Sequence, residues 1–499
     1  MSAVALLPTP VQTELFETVA ASVICSDVTG DDYCSRVPAE VRRAEGITFT
    51  PHWLVERMLD QTASSGPFDT VIDPGAGSGR FALAAARRFP GAKVIAVELN
   101  AGLATTLRAH VRHQGLGGRI EVIQGDFRDT PLPLRGRALF IGNPPYVRHH
   151  DLSPEWKRWY AHGMAERGVP ASQLAGLHAH FMLRLAQLLR PGDVWSLVTA
   201  AEWLDNGYGS AIRHLMSQPR GLGLTSLWLA ASDEAVFPDA LVSAVVTQGL
   251  SAVQPVTEVT LGQVRAAGSS VSRSVPINTL CSSQRWSPLC QPGALQVAQG
   301  IELGELFKVT RGQVTGMNEA WVLSADAPET WRALSVPAVT RAREIIDGSV
   351  TAMQARTQLN RVIDLPRDLD ALATEHKIVA QGLIERAKRM GADEGYVARQ
   401  RKPWFAVGMR EPPMAFVSYM GRRPPVFQPN PRQLSYLNIA HGLYARQPMC
   451  AEQLDRVLGH LNTSTDLYAG RVYGGGLAKF EPSDIARLRV PPSVWGAAV

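Results

Sequence analysis

The stretch Asn143-Pro144-Pro145-Tyr146 combines residue types that a simple turn does not require. Proline locks its own backbone torsion and restricts the residue before it, so Asn-Pro-Pro is close to a rigid object. Neither proline donates a hydrogen bond, which leaves the Asn143 side-chain oxygen and the Pro144 carbonyl as the acceptors on offer. Two acceptors placed together suit the two hydrogens of an amino group carried by a planar system. The lone pair of such an amine is delocalised, and taking both hydrogens localises it for in-line attack on an electrophilic carbon. No strong base is needed first; preorganised acceptors and proximity supply much of the acceleration. Tyr146 adds a flat face for stacking, worth roughly 1–3 kcal/mol per base. A rigid strand-ending turn alone accounts for neither the Asn nor the Tyr.

A second loop, "VIDPGAGSGRF" at residues 71–81, reads as strand, turn and helix. Gly75, Gly77 and Gly79 allow a tight turn and a close approach of ligand to backbone. Asp73 ends its strand, and Glu98 ends the next one, "KVIAVE", where a carboxylate grips two ribose hydroxyls. Asp126 ends the third strand, in "VIQGDF". Three exposed acids along one rim suit a cationic nucleoside without phosphates better than a pyrophosphate. S-adenosyl-L-methionine, with its sulfonium and ammonium, fits that description. Asp126 then accepts from the adenine amino group and Phe127 lies against the ring. A turn acid and a core aromatic are the plainer readings of those two residues.

The elements that must position these loops are legible. "TVID", "KVIAVE", "RIEVIQGD", "ALFIGN", "VWSLVTA", "TSLWLAAS" and "VSAVVTQG" read as seven strands, most of them apolar on both faces. Helical stretches such as "RFALAAARRF" and "HAHFMLRLAQLLR" alternate with them, the latter stopped by Pro191-Gly192. The pattern predicts an α/β fold, a mostly parallel Rossmann-like sheet with helices on both faces and a ligand crevice at the carboxyl ends of its strands. The expected boundaries are a helical extension over 1–45, a catalytic domain over 46–250, a connecting region with some strand over 251–295, and a mixed α/β domain over 296–499.

Composition limits the function classes. The chain has 499 residues, 45% apolar and 19% charged, ordinary for a globular protein of two or three domains. Val11 to Ile24 carries Gln12, Glu14 and Glu17 and reads as an amphipathic helix, not a signal peptide; no apolar run is long enough to span a bilayer. Five scattered cysteines without C-x-x-C spacing suit reduced thiols in a cytoplasm and argue against a zinc site, so no metal is expected. The net charge of +5 is unevenly spread: residues 381–446 hold eleven Lys/Arg against four Asp/Glu, interleaved with Trp404, Phe405, Tyr419, Phe427 and Tyr436. That pattern suits a nucleic-acid surface; a solvated basic face is the alternative. Arg148, His149 and His150 stand next to the Asn-Pro-Pro-Tyr loop either as phosphate contacts or as a solvated turn.

Taken in order, the glycine loop, Glu98, "GDF" and "NPPY" resemble the N6-adenine DNA methyltransferases of the gamma, TaqI-like class, modification methylases of type II restriction-modification systems. The resemblance is detailed across 46–250. "FTPHWLVERM" looks like the family's first motif, and implies that Thr50 contacts the methionine carboxylate of the cofactor. It implies that Phe181 lies near the cofactor adenine, that "VWSLVTAAEWL" is the following strand and loop, and that "AVFPDALVSAVV" is the last motif. There Phe237 sandwiches a flipped adenine opposite Tyr146. "LGELFKVTRGQVTGMNEAW", "KPWF…MGRRPPVF" and "LNTSTDLYAG…GGGLAKFEP" are similar, less specifically, to target-recognition domains. The implied partners are double-stranded DNA and a cognate restriction endonuclease acting on the same site, with no membrane and a monomeric, cytoplasmic enzyme. No nuclease constellation of the P-D…(D/E)-x-K type is found, which favours a separate modification enzyme. Two other readings remain open. Asn-Pro-Pro-Tyr also serves enzymes that methylate RNA guanine amines or protein glutamine, and a catalytically silent DNA-specificity subunit would share the architecture.

Overall fold

A strand that is apolar on both sides needs cover on both sides, and the first part of the chain supplies it. The computed structural model describes residues 37–38, 41–42, 46–218, 221–231, 236–237, 243–251, 255–267, 271–291, 300–350, 359–473 and 476–496. The helix expected within 1–45, at Val11 to Ile24, lies outside the described residues. Two compact units emerge, Met1–Leu295 with Tyr473–Gly476, and Gln296–Val472 with Leu477–Val499.

In the first unit the seven expected strands are β1 (Thr70–Pro74), β2 (Lys93–Glu98), β3 (Ile120–Gln124), β4 (Ala138–Gly142), β5 (Val194–Ala200), β6 (Leu224–Ala230) and β7 (Ala244–Leu250). They run in the order β3-β2-β1-β4-β5-β7-β6. The first five are parallel, and β7 is antiparallel to both of its neighbours. Every residue of β1, β4 and β5 is buried. The two-residue period then divides the core. Ile72 and Phe140 join one cluster with helices α4 (Pro154–Ala165), α5 (Leu177–Leu188) and α6 (Ser210–Ser217), through Tyr160, Leu183 and Ile212. Val71, Leu139 and Ile141 join the other with α1 (His52–Ala63), α2 (Arg80–Arg88) and α3 (Ala101–His113), through Leu54, Leu83 and Leu107.

The sheet does not stop at Leu250. Within the region expected to be a connection, 251–295, β8 (Glu258–Val264) pairs in parallel with β6, and β9 (Ser272–Pro276) returns antiparallel to β8. This hairpin closes a nine-stranded sheet. β9 buries only Val275, so the polar letters of this region, where some strand was expected, include the exposed side of an edge strand.

The second unit is also mixed α/β. One four-stranded antiparallel sheet joins Phe307–Arg311, Ala440–Ala445, Ala415–Ser418 and Phe427–Pro429. Helix Ala451–Ser464 lays Leu454, Val457, Leu458 and Leu461 into the same core as Phe307, Val417 and Leu443. Helix Thr374–Arg389 buries Ala380, Leu383 and Ala387 in a separate core with Val362 and Ala338. Phe427 and Tyr436 are core residues, and Trp404 and Phe405 pack against that second core. The aromatic half of the basic–aromatic pattern is therefore structural in large part: the rings turn into the cores, while cations such as Arg422 and Arg423 stand exposed on the bends between strands. Among the described residues no helix is long and apolar enough to cross a membrane.

Gly79 caps α2 at φ +98°, and a methyl group there would sit 2.2 Å from Leu107 Cδ1 on α3. Gly79→Ala is expected to destabilise the protein by about 1–3 kcal/mol, through left-handed strain and displaced packing. Gly91→Ala, which points into open space, is expected to be neutral. Thermal unfolding of the two variants checks the contrast.

Candidate active site

Because β1 and β4 are neighbours and parallel, the glycine loop and the Asn-Pro-Pro-Tyr loop leave the sheet at the same edge. They meet: a Cβ built on Gly75, at φ +78°, would lie 3.3 Å from Pro145 Cδ and 3.7 Å from Phe181. Between the loops and the segment 46–50 lies a cavity of about 360 Å³. Thr50, Gly75, Gly77, Glu98, Asp126, Phe127, Asn143, Pro145 and Phe181 line it, all anticipated from sequence; Pro144 and Tyr146 flank Pro145 in the same loop. Asp73 and Gly79 do not line it. Gly79 serves the packing of α2 on α3.

The Asn143 amide has a fixed orientation. Its Nδ2 donates to the Thr48 carbonyl at 3.0 Å, and a carbonyl can only accept, so Oδ1 is left as the free acceptor. Oδ1 is buried without a partner. The same segment holds the next part of the loop, since Tyr146 N–H donates to the Gly46 carbonyl at 3.3 Å. Arg80 in turn donates to the Thr50 carbonyl. Thr50 is buried. Neither Gly46 nor Thr48 was singled out from sequence, because both act through backbone carbonyls that residue type does not reveal. Gly46 does carry a signal: at φ +70°, a Cβ there would approach Tyr146 N to 3.0 Å and Val147 Cγ2 to 2.8 Å.

The rim of three exposed acids is corrected by the structure. Asp73 is buried beneath the loop, where its Oδ2 accepts from Ala82 N–H at 3.0 Å at the start of α2. Burial is the main cause raising its pKa from 3.8 to about 8; the Ala82 hydrogen bond lowers it and Glu98 raises it further. Glu98 is also buried; its Oε2 accepts from Gly77 N–H and its Oε1 from Asn100 N–H, both at 2.7 Å. It thus ties the glycine loop to the start of α3. Asp126 is paired with Arg128, whose Nε lies 2.9 Å from Oδ1. The strand-end acids look free in sequence because their partners come from backbone N–H groups and from one arginine two residues on.

The aromatic residues form two contacts. Phe127 and Phe181 are both buried, with centroids 5.1 Å apart and planes tilted by 34°. Tyr146 and Phe237 meet edge to face, with centroids 6.1 Å apart at 71°. The expected sandwich is therefore closed on itself here, with the Tyr146 hydroxyl buried and unpaired. Residues 238–242, the continuation of the motif around Phe237, lie outside the described residues. His149 and His150 sit in a short 3-10 turn with rings 3.7 Å apart, next to exposed Arg148. Beyond them α4 buries Tyr160 and Met164. Among the described residues no group of three or more His, Cys, Asp or Glu could hold a metal ion.

A family model described as Eco57I restriction-modification methylase matches residues 138–222, and a general methyltransferase domain matches 71–159. A model for the C-terminal domain of the type II methyltransferase M.Eco57I matches residues 294–498. The type II methyltransferase M.XamI of Xanthomonas campestris pv. amaranthicola is 40% identical over 454 residues, which is 89% of this chain and 85% of that one. The chain belongs to the type II methyltransferases. A release factor glutamine methyltransferase of Moorella thermoacetica is 39% identical over 201 residues, but these are only 37% of this chain and 60% of that one. Among solved structures, the type IIL restriction-modification enzyme MmeI in complex with DNA shares the fold, with a TM-score of 0.60 at 11% identity, covering 93% of this chain and 70% of that one.

This type II methyltransferase is thus a DNA-modifying member of restriction-modification systems, built on the class I S-adenosylmethionine-dependent fold, and S-adenosyl-L-methionine is its cofactor. The cavity suits that group. Its lining offers an aromatic pair for a purine, a carboxylate at a strand end and glycines where a side chain would intrude. It also includes Ser78, whose buried hydroxyl has no partner.

The Asp73 carboxyl gives a pH test. Its folded-state pKa, about 8, lies above the ordinary 3.8, so the stability it confers is complete below pH 4 and is lost as pH rises towards 8. Asp73→Asn removes this loss while keeping an acceptor for Ala82. The stability difference between variant and wild type should grow with pH by up to about 1.4 kcal/mol per unit over that window. Urea unfolding at a series of pH values measures it; a pH-independent difference would show that Asp73 is charged in the folded protein.

Proposed function

We propose that the enzyme methylates the N6 amino group of adenine within a specific duplex DNA sequence, after flipping the base out of the helix. The observation that carries this reading is the Asn143 side chain, whose Nδ2 is committed to Thr48 and whose Oδ1 is an unsatisfied acceptor. A buried acceptor without a partner costs about 1–3 kcal/mol. An incoming amino group removes that cost only when it arrives, so the interaction favours the reacting geometry. In this reading Asn143 Oδ1 and the Pro144 carbonyl each accept one N6 hydrogen, and the nitrogen lone pair is directed along the crevice. Pro145 fixes the loop against Gly75. When bound, the cofactor would supply an electrophilic methyl group on a sulfonium with a neutral thioether as leaving group, and the methylated nitrogen then gives up one of its two hydrogens as a proton to solvent. Thr50 would hold its carboxylate, Gly75 and Gly77 its backbone approach, Glu98 its ribose, and Asp126, Phe127 and Phe181 its purine. Asp73 and Gly79 act beneath the site, setting the loop and the packing of α2.

Base flipping needs the Tyr146 and Phe237 rings to part and turn parallel, so that a base replaces their mutual contact. Stacking of roughly 1–3 kcal/mol offsets part of that rearrangement. The release factor glutamine methyltransferase matches only 201 residues, which leaves the second unit without a use in that reading; residues 294–498 match a domain of type II methyltransferases instead. The second unit is read as the part that recognises DNA, through phosphate contacts and base edges. We read the enzyme as a monomer acting in the cytoplasm, protecting host DNA from an endonuclease that cuts the same sequence.

Sequencing native DNA from cells expressing the protein, with detection of modified bases, should reveal N6-methyladenine in one short motif. Methylation at cytosine alone, or none, would overturn the reading. Asn143→Ala is expected to lower the methyl-transfer rate by about 100-fold or more while cofactor and DNA affinity change little. Labelled-methyl transfer to DNA and equilibrium binding check the two halves separately.

A further inference from the structure

Arg128 is an unusual residue to find at a cofactor cavity whose ligand is cationic. It lines the cavity yet is only 7% exposed. Its guanidinium grips Asp126 side-on: Nε lies 2.9 Å from Oδ1 and 3.1 Å from Oδ2, and Nη2 lies 2.5 Å from Oδ2. The Arg128 backbone N–H adds a fourth contact, to Oδ1 at 2.9 Å. The flat side of the guanidinium rests on the ring of Trp156, with Cζ 3.8 Å from the centroid.

Trp156 belongs to the first turn of α4, the helix that follows the Asn-Pro-Pro-Tyr loop, and its N–H is capped by Ser153 Oγ. Three residues of α4 bind that helix to α5. Tyr160 stacks on His180 at 4.6 Å and 9°, Trp159 lies 5.9 Å from the same ring, and Met164 is buried. His180 precedes Phe181, the cavity aromatic. Burial first, then the Arg128 charge, keeps the His180 ring neutral, with its pKa lowered to about 3. The arginine is thus sandwiched between a carboxylate in the cavity wall and an anchored helix.

A buried ion pair of this kind contributes little to stability by itself, and apolar replacements are often as stable. What it does provide is direction. A carboxylate held by an arginine fork and a backbone N–H cannot rotate; its Oδ1 is filled by two N–H groups, while Oδ2, whose longer contact is to the N–H already directed at Oδ1, keeps room for one more donor. We infer that Arg128, clamped by Trp156, is a positioning residue that holds the Asp126 carboxylate toward the purine of the cofactor, and so makes the site select a 6-amino over a 6-oxo purine. The inference rests on the reading of this cavity as the cofactor site. A fixed acceptor rewards an amino hydrogen and repels a carbonyl oxygen. A carboxylate free to turn away would do neither strongly, because the repelled group could be avoided.

The test is equilibrium binding of S-adenosyl-L-homocysteine and its 6-oxo counterpart, S-inosyl-L-homocysteine, by calorimetry. Wild type should prefer the 6-amino ligand by about 100-fold. Arg128→Lys keeps the charge but loses the fork, and Trp156→Ala keeps Arg128 but removes its support. Both should cut the preference to about 10-fold or less, by weakening the 6-amino ligand and relieving the repulsion of the 6-oxo one, whereas Trp156→Phe, which restores a flat face, should recover most of it. An equal loss for both ligands, with the preference intact, would reduce Arg128 and Trp156 to a structural role and overturn the inference. Because Trp156 is partly exposed, its variants keep the test open should Arg128→Lys unfold. Phe181→Ala separates the underlying reading: it should weaken both ligands, and unchanged binding of both would place the cofactor elsewhere.

Discussion

The pairing of β1 with β4 is the constraint on which the site depends. Thr70, Val71 and Ile72 stand in parallel register with Ala138, Leu139 and Phe140, all buried. Two parallel neighbours must end at the same edge, so whatever follows each is delivered to the same place. One is followed by glycines and the other by Asn-Pro-Pro-Tyr. Only 3.3 Å separates a Cβ at Gly75 from Pro145, so the loops are within contact before any ligand arrives. The segment 46–50 then closes the third side, holding Asn143 and Tyr146 through the carbonyls of Thr48 and Gly46. Backbone carbonyls suit this task, since they are rigid acceptors independent of rotamer choice.

The site is held in a state that leaves polar groups unsatisfied. Asn143 Oδ1 and the Tyr146 hydroxyl are both buried without partners, and the Tyr146 ring lies against Phe237. Two such groups cost about 1–3 kcal/mol each, which the surrounding core must offset. Under the proposed function that cost is useful. A substrate amine satisfies Asn143, and a base entering between the rings exchanges one aromatic contact for two. The closed site therefore lowers the net penalty for admitting a base while keeping water from the acceptor.

Legibility in the sequence followed physical rules residue by residue. Strands β1 to β7 were readable because sandwiched strands are apolar throughout, and the glycine and proline loops because their residue types constrain backbone shape. Some strand was expected in the connecting region 251–295, but not that β8 and β9 would extend the first sheet, since an edge hairpin needs few apolar letters. The lining residues Glu98, Asp126, Phe127 and Phe181 were found, but their partners were not. Asn100, Gly77 and Ala82 engage the acids through backbone N–H groups, which every residue has. Phe427 and Tyr436 were read with a basic surface and turned out to be core, because short strands that bury a ring alternate in the letters with exposed basic bends such as Arg422 and Arg423.

The same partners change how a cationic ligand can be accommodated. Summed as exposed charges, Asp73, Glu98 and Asp126 would make a strongly negative rim. In the folded chain Asp73 is pushed towards neutrality by burial, Asp126 is balanced by Arg128, and Glu98 has one oxygen on each of two backbone N–H groups. Bulk negative charge is therefore a poor account of selectivity. What remains is directional: carboxylate lone pairs fixed by known donors, two aromatic faces and an amide with one free acceptor. Directional groups discriminate through geometry, and they lose that discrimination when their supports are loosened even if the net charge is unchanged. The chemistry of the crevice accordingly depends on the groups that hold its functional side chains, the Thr48 carbonyl on Asn143 and the Trp156 ring on Arg128.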